Sequence, residues 1–227
     1  MSELISLDQL LTALPTRALV AFDGARQTSG PQLLARIAAW YSVLPGAPGA
    51  IALAHSDALE FAAALYAAWL RRLDVVVAAD RLPATIASLQ PQVLALVGEF
   101  AGASSVTAPM CVVEQIDEFA RHLPLGSASR LILSTSGSSG EPTLVVKTLR
   151  QLNAEVQSLE QCFGTLLADA KIAATVSHQH IYGLLFRVLW PLAAARVFEA
   201  RNHVYLETVA AAAPGPLALV ASPAHLK

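Results

Sequence analysis

Short apolar runs alternate with helix-like segments through the first hundred residues. The runs are residues 18–22, 50–54, 74–79 and 92–97, and the helix-like segments between them are residues 31–44, 55–70 and 83–89. Parallel strands need a long crossover connection, usually a helix, whereas antiparallel strands need only a turn. The alternation therefore predicts an α/β fold, layered αβαβ, with a mainly parallel sheet flanked by helices.

Other helices and strands are predicted from apolar spacing. Residues 149–166 place apolar side chains three and four residues apart, which predicts an amphipathic helix. The helix of residues 55–70 is apolar almost all round, which predicts packing on more than one side. Residues 183–195 predict a buried helix that Pro191 interrupts. A helix is also predicted at residues 4–14, and strands at residues 106–113, 131–133, 144–146, 172–176 and 217–220.

The chain is unusually apolar for a water-soluble protein. Hydrophobic residues make up 55% of the 227 residues and charged residues only 14%, with a mean hydropathy of +0.52. Polar residues interrupt every apolar run before it reaches the length of a membrane span, so no transmembrane helix is predicted. The amino terminus lacks the positive region of a signal peptide, and the expected location is cytoplasmic.

Charge and cysteine content exclude several functions. The net charge is -2 and no basic cluster is present, which argues against nucleic-acid partners and against electrostatic attachment to a membrane. Cys111 and Cys162 fit no metal or redox spacing, so we expect both to be free, buried thiols.

Residues 131–147, LILSTSGSSGEPTLVVK, carry the clearest chemical signal. The segment predicts a strand, a loop rich in hydroxyls and glycine, and a second strand. Gly137 and Gly140 permit positive φ and close approach of backbone N–H groups to a ligand, and the serine and threonine hydroxyls can donate to phosphate oxygens. The Thr135 hydroxyl can also bind magnesium. A phosphate-binding loop and a flexible surface linker both remain open on composition alone.

The loop resembles a known family signature. Residues 135–142, TSGSSGEP, are similar to the motif T-S-G-[ST]-[ST]-G-x-P-K of the adenylate-forming (AMP-binding) enzymes, which include acyl-CoA and acyl-carrier-protein synthetases. The resemblance implies that ATP phosphates bind at Thr135, Ser136, Gly137, Ser138, Ser139 and Gly140, with Mg²⁺ near Thr135. The family lysine after the proline is replaced by Thr143, and the nearest cation is Lys147.

A second segment resembles the same family. Residues 178–184, HQHIYGL, are similar to its H-x-x-G-L segment, and the resemblance implies that His180 and Gly183 border the acyl-substrate pocket. The residues themselves leave two alternatives for the histidines. A zinc site would need further ligands, which the sequence does not cluster nearby. Either His178 or His180 can instead be a hydrogen-bonded core histidine, and we expect this of His178.

The resemblance implies an acid-thiol ligase. Such an enzyme uses ATP and Mg²⁺ to convert a carboxylic acid to an acyl-adenylate, then passes the acyl group to coenzyme A or an acyl carrier protein. The sequence of residues 179–186 looks most like that of bacterial ligases of fatty or aryl acids, including those of aryl-polyene pigment pathways.

The resemblance also bears on domain organisation. It implies that residues 1–227 form the amino-terminal, partial AMP-binding domain, with the carboxy-terminal domain absent and this fragment alone inactive. No later segment for adenine, ribose or the adenylation lysine is present in the sequence. A non-catalytic nucleotide- or acyl-binding module and a purely structural α/β domain remain as alternatives.

Overall fold

The computed structural model describes residues 4–109, 125–126, 129–136, 142–203, 208–209 and 215–223. Its strands, in chain order, are β1 (Ala21–Asp23), β2 (Arg26–Thr28), β3 (Ala50–Ala54), β4 (Asp74–Val77), β5 (Ala95–Gly98), β6 (Arg130–Ser136), β7 (Pro142–Thr148), β8 (Lys171–Ala174), β9 (Phe198–Glu199) and β10 (Leu217–Val220). The helices are α1 (Leu10–Ala13), α2 (Gly30–Val43), α3 (Ala58–Leu70), α4 (Pro83–Leu89), α5 (Leu149–Leu167), α6 (Ile181–Gly183) and α7 (Trp190–Ala193).

The apolar runs of the first half pair into one sheet with the order β5-β3-β4-β6-β7. Strands β3, β4, β5 and β6 are parallel, and β7 returns antiparallel to β6 as a hairpin. The carboxyl ends of the parallel strands therefore share one edge of the sheet. Helices α3 and α4 cover its two faces, because Ile51 and Leu53 of β3 belong to the core around α3, whereas Ala52 and Ala54 cluster with Ile86 of α4.

The second sheet has the order β10-β8-β9-β1-β2. Its strands are parallel except for the β1–β2 hairpin. This arrangement brings the amino-terminal hairpin beside strands that lie more than 140 residues later in the chain. The two sheets share one hydrophobic core, in which Ala21 and Phe198 of the second sheet cluster with Leu53 and Val75 of the first.

The long helices begin as their sequences predict. Asp57 caps α3 by accepting from the N–H groups of Leu59 and Glu60, at 2.7 and 3.0 Å. Helix α3 is buried on every side, as its all-round apolar character predicts. Thr148 and Gln151 form a capping box at the start of α5, whose buried residues lie on one face.

The buried segment of residues 181–193 corrects the prediction that Pro191 interrupts a helix. The chain stays helical through α6, a π-helical segment (Leu184–Leu189) and α7. Proline cannot donate the hydrogen bond that an α-helix requires there, and its ring would meet the carbonyl of Arg187. The wider π turn, in which Trp190 N–H donates to the Leu185 carbonyl, carries the chain past this position.

Other predictions differ from the structure in detail. The prediction missed β2, which has no apolar alternation, and it placed β5 at residues 92–97 instead of Ala95–Gly98. In the predicted strand of residues 106–113, Val106 forms a single bridge with Val97, and residues 110–113 lie outside the described residues. The prediction of two buried thiols is wrong for Cys162, which lies exposed on α5, and Cys111 is also outside the described residues.

Candidate functional site

The predicted phosphate loop connects two paired strands. Thr135 and Ser136 are the last residues of β6, where Ser136 pairs with Pro142 and Thr135 with Thr143 of β7. The remaining predicted phosphate residues, Gly137, Ser138, Ser139 and Gly140, lie outside the described residues. The segment predicted as a strand, a loop and a strand therefore begins and ends as two strands of one hairpin.

Lys147 lies at the opposite end of this hairpin. It pairs with Leu131 near the start of β6, and its ammonium group forms an ion pair with Glu155 of α5. Lys147 is four positions from Thr143 on the extended strand β7, or about 13 Å along it. Lys147 is therefore not positioned to replace the lysine that the family has where this chain has Thr143.

A second turn follows β8 and contains His178. His178 is only 2% exposed, its Nε2 lies 2.9 Å from the backbone carbonyl of His55, and its ring meets Phe61 edge-on with centroids 4.8 Å apart. A carbonyl oxygen can only accept, so Nε2 carries the proton and Nδ1 is free to accept. Burial, followed by the charge of Arg187, lowers the pKa of His178 to about 3. The prediction that His178 is a hydrogen-bonded core histidine is confirmed.

Arg187 is the centre of the polar network beneath this turn. Its side chain is fully buried on the π-helical segment, and its two terminal nitrogens contact the carbonyls of residues 176 and 199–201, the side-chain oxygen of Asn202 and Nδ1 of His178. Burial lowers the pKa of the Arg187 guanidinium to about 10, so it remains charged at neutral pH. The network links the chain segments that leave β8 and β9.

His180 and Gly183 lie two and five residues beyond His178. His180 is exposed and precedes α6, and its backbone carbonyl accepts from Leu184 N–H at 2.8 Å. Its exposure excludes the core-histidine alternative for this residue. Gly183 is buried against the preceding turn so tightly that an added Cβ would lie 2.1 Å from the Ser177 carbonyl oxygen. The assignment of both residues to an acyl pocket stays a prediction.

The two predicted segments lie toward one edge of the first sheet. The His178 ring contacts the residue after β3, and the predicted phosphate loop follows β6. Strand β4 separates β3 from β6, so these two strand ends are roughly 10 Å apart.

Sequence reasoning missed the Arg187 network. The available signal was a single arginine within the apolar run of residues 184–189, because a charge flanked on both sides by apolar residues needs buried polar partners. Those partners come from the end of β8 and from residues 199–202, so the network could not be assembled without the tertiary structure.

The described residues hold neither a cluster of metal-ligating side chains nor a membrane-spanning helix. Within residues 4–109 and the later described segments, no three His, Cys, Asp or Glu side chains group in a way that could hold a metal ion. No helix in the described ranges is both long enough and apolar enough to cross a membrane.

Comparison with known proteins relates the fold to adenylate-forming enzymes. No family model matches the sequence, and no curated protein matches it. Among solved structures, o-succinylbenzoate coenzyme A synthetase from Bacillus subtilis, in complex with ATP and magnesium ion, superposes with a TM-score of 0.67 at 14% identity over 90% of this chain. A malonyl-CoA ligase bound to methylmalonyl-CoA and AMP gives 0.64 at 18% identity over 88%.

A third neighbour is a much longer, four-domain protein. A four-domain nonribosomal peptide synthetase bound to AMP and glycine superposes with a TM-score of 0.72 at 14% identity over 99% of this chain. The chain spans 59% of the succinylbenzoate enzyme, 45% of the malonyl-CoA ligase and 18% of the peptide synthetase. At these identities the comparisons establish the fold. The chain has the mixed α/β architecture of the amino-terminal domain of adenylate-forming enzymes.

Proposed function

We propose that this chain is the amino-terminal part of an enzyme that activates a carboxylic acid with ATP, forming an acyl-adenylate and pyrophosphate. One observation carries the proposal. The Ser/Gly segment that resembles the family's phosphate signature joins β6 to β7 at the carboxyl edge of a parallel sheet, in a chain with the fold of adenylate-forming enzymes. Ligands of open α/β sheets typically bind outside this edge.

The proposed phosphate site uses Thr135, Ser136, Gly137, Ser138, Ser139 and Gly140. Their hydroxyls and backbone N–H groups can donate to phosphate oxygens without adding charge, and the glycines allow close approach. We place Mg²⁺ near the Thr135 hydroxyl, since magnesium prefers oxygen ligands. Bound Mg²⁺ would neutralise phosphate charge as the acid's carboxylate attacks the α-phosphorus, and the loop would orient the departing pyrophosphate.

The proposal assigns the acid and the acyl acceptor by chemical class. His180, exposed at the start of α6, would border the carboxylate of a fatty or aryl acid, with Gly183 allowing the turn to pack closely. The acceptor would be the thiol of coenzyme A or of an acyl carrier protein. The solved neighbours include a structure with a CoA product analogue and one with an amino acid bound, so the fold accommodates both kinds of chemistry in other proteins.

A non-catalytic binding module is the second candidate. Thr143 stands where the family has lysine, and the nearby Lys147 is paired with Glu155 at the far end of the hairpin. If the missing cation is required for the chemical step, the protein would bind nucleotide or acyl groups without forming the adenylate.

The test is Mg²⁺-dependent ATP binding by the 227-residue chain, together with ATP–pyrophosphate exchange by the longest product of its gene against a panel of fatty and aryl acids. We expect binding by the chain and acid-dependent exchange by the longer product. Gly137→Val should abolish ATP binding, because it adds a branched side chain where backbone must approach phosphate. Gly126→Val is the matched control, since a Cβ at Gly126 has its nearest neighbour 3.8 Å away.

The outcomes separate the candidates. Exchange that requires one acid supports the ligase and identifies its substrate. ATP binding without exchange, by a folded longer product, supports the binding module and directs attention to Thr143. Equal ATP affinity in the Gly137→Val and Gly126→Val chains would contradict the loop assignment.

A further inference from the structure

A cavity of about 610 Å³ opens beside the carboxyl ends of β3 and β5. The β1–β2 hairpin, helix α2, the first turn of α3 and residues 107–108 form its walls. It shares no lining residue with the predicted phosphate loop or with the turn at His180. Its volume lies within the range of small-molecule sites, which are usually preformed clefts of about 300–1,000 Å³.

The walls are largely apolar. Phe22 and Trp40 are almost fully buried and contribute aromatic surface, and Pro31, Ala35 and Leu59 contribute aliphatic surface. Such a lining suits the body of a ring-containing or branched hydrocarbon.

The carboxylates that line the cavity already have partners. Both oxygens of Glu60 accept from Arg36, at 2.7 and 2.8 Å, and one also accepts from the Trp40 indole N–H at 2.8 Å. Asp57 caps α3, so the amino end of that helix is also occupied. Asp23 pairs with Arg201, and Glu99 pairs with Arg81 and accepts from Ser56. Each of these carboxylates is therefore already engaged by at least one donor group.

Two residues that line the cavity, Arg26 and His55, carry hydrogen-bond donors that no described residue engages. The Arg26 guanidinium, at an exposed position of β2, has no hydrogen bond or ion pair with any residue that the structure describes. The Nδ1 atom of His55 accepts from the Asp57 N–H at 3.1 Å and lies 3.5 Å from a carboxylate oxygen of Glu99. In the neutral ring this acceptor role leaves the proton on Nε2. That Nε2–H likewise has no described partner. The cavity thus combines apolar walls with unused donors.

We propose that this cavity binds a small organic anion with an apolar body, such as an aromatic or branched carboxylate, through Arg26 and His55. An anion would accept hydrogen bonds from these unused donors. A cation would instead compete with the arginines for carboxylates that are already paired. The proposal is independent of the proposed function, because loss of ATP binding at the loop leaves every lining residue unchanged.

The experiment compares two probes of the same shape and opposite charge, 2-naphthoate and protonated 2-naphthylmethylamine, by isothermal titration calorimetry on the 227-residue chain. We expect one site for 2-naphthoate, weakened by added salt, and no measurable binding of the amine. Arg26→Gln should weaken naphthoate binding about tenfold, the effect of losing one charge-assisted hydrogen bond. Ala35→Trp, which fills the cavity from α2, should abolish it.

The matched controls are Arg150→Gln and Ala154→Trp, which make the same changes at exposed positions of α5. Both should bind naphthoate as the unmodified chain does. The proposal is overturned if the amine binds as tightly as the acid, if Arg26→Gln binds no more weakly than Arg150→Gln, or if Ala35→Trp retains the affinity of Ala154→Trp. Circular dichroism of each variant verifies that it is folded before binding is compared.

Discussion

Arg187 is a buried cation with no carboxylate partner within hydrogen-bonding distance in the described residues. Burying a charge costs free energy unless hydrogen bonds replace water, and here carbonyl and amide oxygens do so. The same guanidinium donates to Nδ1 of His178, whose Nε2–H is held by the His55 carbonyl. The His55 carbonyl and the Arg187 guanidinium together fix the tautomer and position of His178, two residues before His180.

The neutral state of His178 predicts a pH dependence of stability. Its pKa in the folded chain is about 3, below the ordinary value of 6.5, so the unfolded chain binds more protons between those values. Stability contributed by this group is thus fully present above pH 6.5 and declines as pH falls toward 3, by about 1.4 kcal/mol per pH unit. Between pH 6.5 and 5 we expect a loss of about 1.6 kcal/mol.

Urea unfolding at several pH values between 5 and 7 measures this effect. His178→Gln should remove most of the slope, because glutamine does not titrate, and His180→Gln at an exposed position should retain it. An unchanged slope in His178→Gln would contradict the assignment. Comparing slopes avoids any dependence on how stable the variant is at neutral pH.

At the scale of elements, the packing of α6 against the turn before it depends on one glycine. Gly183 has helical φ and ψ, so backbone freedom does not require glycine there. The requirement is space, because the Ser177 carbonyl oxygen and the His178 nitrogen occupy the volume where a Cβ would lie. The close approach fixes the turn that presents His180.

Gly183→Ala should therefore lower the free energy of unfolding by about 2 kcal/mol, despite the higher helix propensity of alanine, because the added methyl group overpacks a buried contact. Chemical denaturation monitored by far-UV circular dichroism gives the value. Gly126→Ala, at an exposed glycine with free space, should stay within about 0.5 kcal/mol of the unmodified chain. Equal stability of the two variants would mean that the turn yields to the methyl group at no cost.

At the scale of the whole molecule, the two sheets share one core. The cluster that contains Leu53 and Val75 of the first sheet also contains Ala21 and Phe198 of the second, and the three tryptophans, Trp40, Trp69 and Trp190, all belong to it. Apolar burial is the dominant favourable contribution to folding, so a shared core couples the stability of both sheets.

We expect a single cooperative unfolding transition for the described part of the chain. Two single-tryptophan variants, one that retains Trp69 of α3 and one that retains Trp190 of α7, report on different parts of the core. In each variant, tryptophan fluorescence and far-UV circular dichroism should give the same urea midpoint, whatever the variant's absolute stability. A fluorescence midpoint that departs from the circular dichroism midpoint in either variant would instead indicate sheets that unfold independently.

Most elements were predictable because the information is local. The alternation of apolar runs with helices predicted the parallel sheet, the spacing of three and four predicted α5, and the all-round apolar character of residues 55–70 predicted the burial of α3. The short hairpin strand β2 and the π turn at Pro191 were not, because the first has no apolar pattern and the second depends on hydrogen bonds that proline alone does not specify. Exposure of Cys162 also depended on which face of α5 packs inward.

By itself the sequence determined the fold class, the order strand, loop, strand around the Ser/Gly segment and the deeply buried character of α3, since periodicity and turn residues act over a few positions. The tertiary structure decided how distant segments meet. It placed His178 against His55, arranged the carbonyls after β9 around Arg187, and formed the cavity that Arg26 and His55 line. The contact between His178 and His55 joins residues 123 positions apart. No local pattern encodes such a contact, because packing of the whole chain brings its two sides together.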